Sequence, residues 1–138
     1  MSLAVCKPLI RKRSNINDIV VGIYDKSNEC HGIPYNIFFI GVVHAKMSFT
    51  EYNKLCLEDK LMTIKIPNDD NLIGDCLYDA KLKKRQSPYN NNDIKTDLSS
   101  NNVLLFKNFK YMGDKGLKLS IKLKIIYQMN NNICYVFT

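Results

Sequence analysis

Residues 103–137 read VLLFKNFKYMGDKGLKLSIKLKIIYQMNNNICYVF, and this stretch decides the fold class. Between 117 and 129 the chain alternates without a break. Leu117, Leu119, Ile121, Leu123, Ile125, Tyr127 and Met129 fall on one face, and Lys118, Ser120, Lys122, Lys124, Ile126 and Gln128 on the other. A period of two marks a β-strand with one buried face, because successive side chains leave a pleated chain on opposite sides. Upstream, residues 103–111 form another strand, joined through the turn Gly113-Asp114-Lys115-Gly116. Downstream, the asparagines at 130–132 turn the chain into a last strand over 133–137. The pattern predicts a three-stranded antiparallel meander, apolar on one side and basic on the other.

Outward from this meander, residues 35–45 are rich in Ile, Phe and Val and begin after Pro34. Tyr35, Ile37, Phe39, Val43 and Ala45 share one face, and Phe38, Ile40 and Val42, with His44, the other. A strand apolar on both faces belongs in the middle of a sheet. Ser48-Phe49-Thr50-Glu51 has the form of a helix capping box, and Phe49, Tyr52, Leu55 and Cys56 follow at helical spacing, which predicts a helix to about Lys60. Residues 62–66 read as a short strand stopped by Pro67, and residues 72–84 lean towards helix. Residues 86–102 are polar and Asn-rich and read as an exposed loop. The expectation is an α+β fold, a single domain that is mainly antiparallel β-sheet with one or two short helices. Residues 1–17 would be a flexible basic arm and residues 18–138 the domain.

The length of 138 residues, 46% of them hydrophobic, suits one core and not two. No run approaches the roughly 18 to 20 apolar residues of a spanning helix. The apolar start is too short before Arg11, Lys12 and Arg13 for a secretory signal, so the expected location is intracellular. Five scattered cysteines (Cys6, Cys30, Cys56, Cys76, Cys134) form no C-x-x-C pair and no metal spacing, and are expected as buried thiols.

Charge is sharply divided. Residues 1–80 carry nine Lys/Arg against ten Asp/Glu, and residues 81–138 carry eleven against three. Such asymmetry points to a polyanionic partner. The candidate anion-binding residues are Arg11, Lys12 and Arg13 in the arm, Lys81, Lys83, Lys84 and Arg85 at the loop's root, and Lys107, Lys110, Lys115, Lys118, Lys122 and Lys124 in the meander. Lysines two apart on a strand stand about 6.5 to 7 Å from one another on one face, a spacing that suits phosphates or acidic lipid headgroups. Phe106, Phe109, Tyr111, Tyr127, Tyr135 and Phe137 lie on or beside the basic strands, where exposed rings would stack on bases. No catalytic residues, metal site or cofactor are expected. His31 and His44 lack partners at useful spacing, and Asp75 and Asp79, a conceivable metal pair on a shared helix face, have no third ligand. There is no phosphate-binding glycine loop or nucleophile elbow.

The run Phe38-Phe39-Ile40-Gly41-Val42-Val43, followed by Ser48-Phe49-Thr50-Glu51-Tyr52, resembles the first core strand and helix of rhabdovirus matrix proteins. The turn at 111–117 and the alternating strand to Tyr127 are similar to a later part of that family. The resemblance implies a self-associating viral structural protein in the host cytoplasm and virion, peripheral to an acidic membrane and bound to ribonucleoprotein. The alternative from the residues alone is a single-stranded nucleic-acid-binding module using a basic β-sheet face.

Overall fold

The computed structural model describes residues 1–5, 7–24, 36–68, 74–85 and 94–118, together with the backbone of 134–137. The fold is α+β, mainly antiparallel sheet with a few short helices. In chain order the described elements are β1 (Ser2–Leu3), α1 (Pro8–Arg13), β2 (Ile19–Ile23), β3 (Asn36–Met47), α2 (Phe49–Glu58), a 3-10 turn (Thr63–Lys65), α3 (Ile94–Leu98), β4 (Val103–Tyr111), β5 (Leu117–Lys118) and β6 (Cys134–Phe137). They divide between two compact units, and β3 and β4 each run from one into the other.

The first unit comprises Met1–Arg13 and Ala45–Leu105. Its organising element is α2, which begins where the capping box predicts. The Glu51 backbone N–H donates to Ser48 Oγ at 3.2 Å, and the Ser48 backbone N–H donates to Glu51 Oε2 at 2.7 Å. Both partners satisfy amides that a helix start leaves open. Phe49, Tyr52, Asn53 and Cys56 form the buried stripe of α2, at i, i+3, i+4 and i+7. The stripe packs with Ala4, Cys76, Leu77, Tyr78 and Val103. Closing a ring such as Phe49 away from water is worth roughly 1.5–3 kcal/mol, so this face holds α2 in place. β1 pairs antiparallel with the start of β4, Ser2 opposite Leu105 and Leu3 opposite Leu104.

Four expectations for this unit are corrected. The N-terminal residues are no loose arm: they form β1 and α1, and Ala4 sits in the core. Residues 62–66 do not make a strand, because Asp59 gathers the chain into a tight turn. Its carbonyl accepts from Met62 N and Thr63 N at 3.0 Å each, and its carboxylate from Leu61 N at 2.8 Å. The helical lean at 72–84 is also wrong over its described part, residues 74–84. There Asp79 accepts the N–H groups of Lys81 and Lys83 at 2.8 and 2.9 Å, Leu82 takes φ of 58°, and Tyr78 bridges Lys84 antiparallel. A side chain bonding its own backbone competes with the helix. Finally, the polar stretch 86–102 contains α3, with Asp97 and Ser100 buried; residues 86–93 lie outside the described residues.

The second unit is drawn from Ser14–His44 and Phe106–Thr138. Within it the strand order is β4-β3-β2-β6, with β5 also pairing β3. β3 is thus central, with one of its two apolar faces covered and the other covered only in part. Phe39, Gly41 and Val43 are buried on one face, whereas Ile40 and His44 are exposed on the other. β2 runs antiparallel to β3 from Ile19 opposite Val42 to Ile23 opposite Ile37, with a register shift between Gly22 and Ile23.

The predicted meander is only partly recovered. β4 and the 113–116 turn lie where expected, but β5 has β3 as its described partner, and β6 has β2. Gly113 and Gly116, at φ of 64° and 57°, fold the turn so tightly that a Cβ on Gly116 would stand 2.7 Å from the Ile37 carbonyl oxygen. That close approach delivers Leu117 to β3. The alternation over 119–129, including Lys122 and Lys124, lies outside the described residues.

Candidate nucleic-acid interface

In the second unit the strands bring three rings together. Phe38, on β3, lies against Gly22 of β2: a Cβ at position 22 would stand 2.6 Å from the ring's Cζ. Only glycine leaves that seat open. The Tyr24 ring sits 4.7 Å from the Phe38 ring, centroid to centroid, and Tyr111 meets Phe38 edge-on at 6.5 Å. The backbone bond from Met112 N to Phe38 O, 2.8 Å, sets Tyr111 beside Phe38. Tyr24 is anchored at its far end, its hydroxyl donating to the Gly113 carbonyl at 3.3 Å. Desolvation, and then its hydrogen bond with Tyr111, hold the Tyr24 phenol above its ordinary pKa. Tyr24 and Phe38 are half-buried, and Tyr111 is 55% exposed.

From Val103 onward the described chain is mainly basic, although Asp114 is exposed and its charge reaches Tyr24. Lys107 and Lys110 project from β4, Lys115 from the turn and Lys118 from β5, and all four are exposed. No described carboxylate lies within ion-pairing distance of any of them. Asp114 is the one acid between residues 103 and 118. Of the aromatics named from sequence, Phe106 is buried against Phe39, and Phe109, 46% exposed, stacks on the same ring at 6.4 Å. For Tyr135 and Phe137 only the backbone is described, and Tyr127 lies outside the described residues. Tyr24 and Phe38 were missed as site residues. Their signal was Gly22, a glycine within an apolar run that marks the close approach of another group.

The first unit treats its predicted basic residues differently. Arg11 is fully buried, so it cannot meet an outside anion. Its Nη1 donates to the Ser100 and Asn102 carbonyls at 2.8 and 2.7 Å, and its Nη2 to the Asp97 carbonyl at 2.7 Å. Arg85 also bonds inward, Nη1 to the Cys76 carbonyl at 3.0 Å and Nη2 to Asn53 Oδ1. Lys12, Arg13, Lys81 and Lys83 are exposed, and Lys84 is half-buried.

Asp75 and Asp79 both bond within this unit. Asp75 accepts from Tyr52 and from Ser2 Oγ, each at 2.7 Å, and Asp79 holds its own turn, so the proposed carboxylate pair shares no helix face. Cys56 and Cys76 are free thiols, both buried. Hydrogen bonding to Cys56, then burial, pushes Cys76 up. No cluster of three or more potential metal ligands occurs among the described residues, and none of their helices is long and apolar enough to cross a membrane.

The family model described as nucleotide modification associated domain 2 matches residues 1–136. No curated protein and no solved structure matches the chain. The family match overturns the matrix-protein resemblance, and with it the virion and membrane roles which that resemblance implied. Its strand-and-helix motif is generic: an apolar central strand entering a capped helix packs the same way in unrelated folds.

Proposed function

Because this chain belongs to the nucleotide modification associated domain 2 family, we propose that it is a nucleic-acid-binding module acting through the exposed lysines of its second unit. The observation that carries this is the set of exposed lysines, Lys107, Lys110, Lys115 and Lys118, with no described carboxylate to neutralise them. Ammonium groups on flexible stems meet phosphate oxygens without demanding a fixed fork geometry. Each phosphate so neutralised releases a counterion, which drives sequence-independent association. The role is binding, with no chemical step of its own.

The test is a fluorescence-anisotropy titration of a labelled single-stranded oligonucleotide at low salt. It compares the wild type with the variant in which Lys107, Lys110, Lys115 and Lys118 are all changed to Gln. The variant keeps its circular dichroism spectrum and binds far more weakly. Equal affinities in the two proteins would overturn the assignment.

A further inference from the structure

We propose that Tyr24, Phe38 and Tyr111 form a stacking platform for an unpaired nucleobase, which makes the partner single-stranded; this rests on the nucleic-acid reading above. The platform is built from its floor upward. Gly22 removes the Cβ that would otherwise meet the Phe38 ring, so the ring settles against the β2 backbone. Tyr24 packs on Phe38 at 4.7 Å with its hydroxyl tied to Gly113, and Tyr111 stands edge-on to Phe38 at 6.5 Å. Two rings are therefore held by neighbours on one side, while more than half of Tyr111 remains in water.

Tyr111 meets Phe38 edge-on and shares a hydrogen bond with Tyr24, so a ligand finds a ring that is already placed and has less ordering to supply. What it meets is constrained by charge. Lys115 lies in the turn whose Gly113 carbonyl anchors Tyr24, four residues from Tyr111, whereas Lys110, the strand neighbour of Tyr111, leaves β4 on the opposite side. A planar π-system next to a phosphate-seeking cation suits a nucleotide, whose base stacks on the ring while its phosphate takes the ammonium. In a duplex the π-faces of the bases are already covered by their neighbours. Only an unpaired base offers a face to Tyr111.

Three probes separate this inference from the charge-based one beneath it: a short oligothymidine, an abasic strand of equal length and charge, and a duplex. The wild type binds oligothymidine about tenfold more tightly than the abasic strand, the scale of one stacked base. Tyr111→Ala lowers oligothymidine binding to the abasic level, whereas Tyr111→Phe, which keeps the ring, restores it. The chain has eight tyrosines and no tryptophan, so stacking also appears directly as quenched tyrosine emission on adding oligothymidine. Equal binding of oligothymidine and the abasic strand, or unchanged base preference in Tyr111→Ala, overturns the platform and leaves the lysine face standing. A preference for the duplex over oligothymidine overturns it as well. Failure of the wild type to bind any probe overturns both.

Discussion

The guanidinium of Arg11 lies over the ring of Phe49, its central carbon 5.2 Å from the ring centroid. This contact closes a cage in which three backbone carbonyls, from Asp97, Ser100 and Asn102, receive the guanidinium's N–H groups. Arg11 thus ties α1 to α3 and to the segment between α3 and β4. A lysine in its place would offer one point charge where a planar fork is needed, and would leave carbonyls unpaired. Arg11→Lys is expected to lose about 3 kcal/mol of stability, read as a lower urea midpoint at unchanged slope. Lys12→Gln, one residue on and exposed, should change stability by no more than about 0.5 kcal/mol. Equal effects in the two variants would remove Arg11 from its structural role.

The cap of α2 gives a prediction with a sign in pH. Ser48→Ala removes the acceptor for the Glu51 amide and should cost about 1 kcal/mol. Glu51 accepts hydrogen bonds from the backbone and side chain of Ser48, and these hold its carboxyl below the usual glutamate value. The bonds favour the charged form, so the contribution is present above the unfolded pKa of about 4.3 and is lost as pH falls through the folded one. The stability gap between wild type and Glu51→Ala should therefore narrow in acid. An NMR titration should place the Glu51 midpoint below that of an ordinary glutamate. A gap constant across pH would contradict the cap.

Gly22 is where backbone freedom serves the proposed platform. In Gly22→Ala the new Cβ would meet three atoms of the Phe38 ring at 2.6–3.0 Å, and the ring must move. Overpacking of this kind costs about 1–3 kcal/mol. The ring's move should also disturb Tyr24, because the two rings are in contact. Chemical-shift changes should then spread from residue 22 to the Tyr24 and Tyr111 ring protons. Perturbation confined to β2 would mean that Phe38 is not seated on Gly22.

Local patterns were legible in the sequence wherever the chain answers to its own near neighbours. The capping box at Ser48 and Glu51, the apolar run that became β3, and the strand Val103–Tyr111 all follow from periodicity or from an i, i+3 pairing. Asp59 and Asp79 defeated the same method, because one short carboxylate bonding its own backbone outweighs a weak preference for strand or helix. Arg11 was misread for a different reason. In Arg11-Lys12-Arg13 nothing local distinguishes the buried residue from its exposed neighbours, and the carbonyls that claim it lie 86 to 91 positions away. The exposed positions Lys107, Lys110, Lys115 and Lys118 could be named as candidates from charge alone. The rings beside them were not, since Tyr24, Phe38 and Tyr111 meet only once β2, β3 and β4 lie side by side.

The lysine face makes a quantitative claim on salt dependence. For single strands, the logarithm of the binding constant falls against the logarithm of salt concentration with a slope of about −0.7 per phosphate neutralised. Lys107, Lys110, Lys115 and Lys118 together should give a slope near −3, and each change to Gln should flatten it by roughly 0.7. Lys81 and Lys83, exposed in the first unit, serve as the comparison. With the binding face confined to the second unit, Lys81→Gln and Lys83→Gln leave the slope unchanged. A slope steeper than −3 that flattens in those two variants would extend the nucleic-acid path onto the first unit. A shallow slope, indifferent to the four lysines, would show that phosphate contact does not hold the strand.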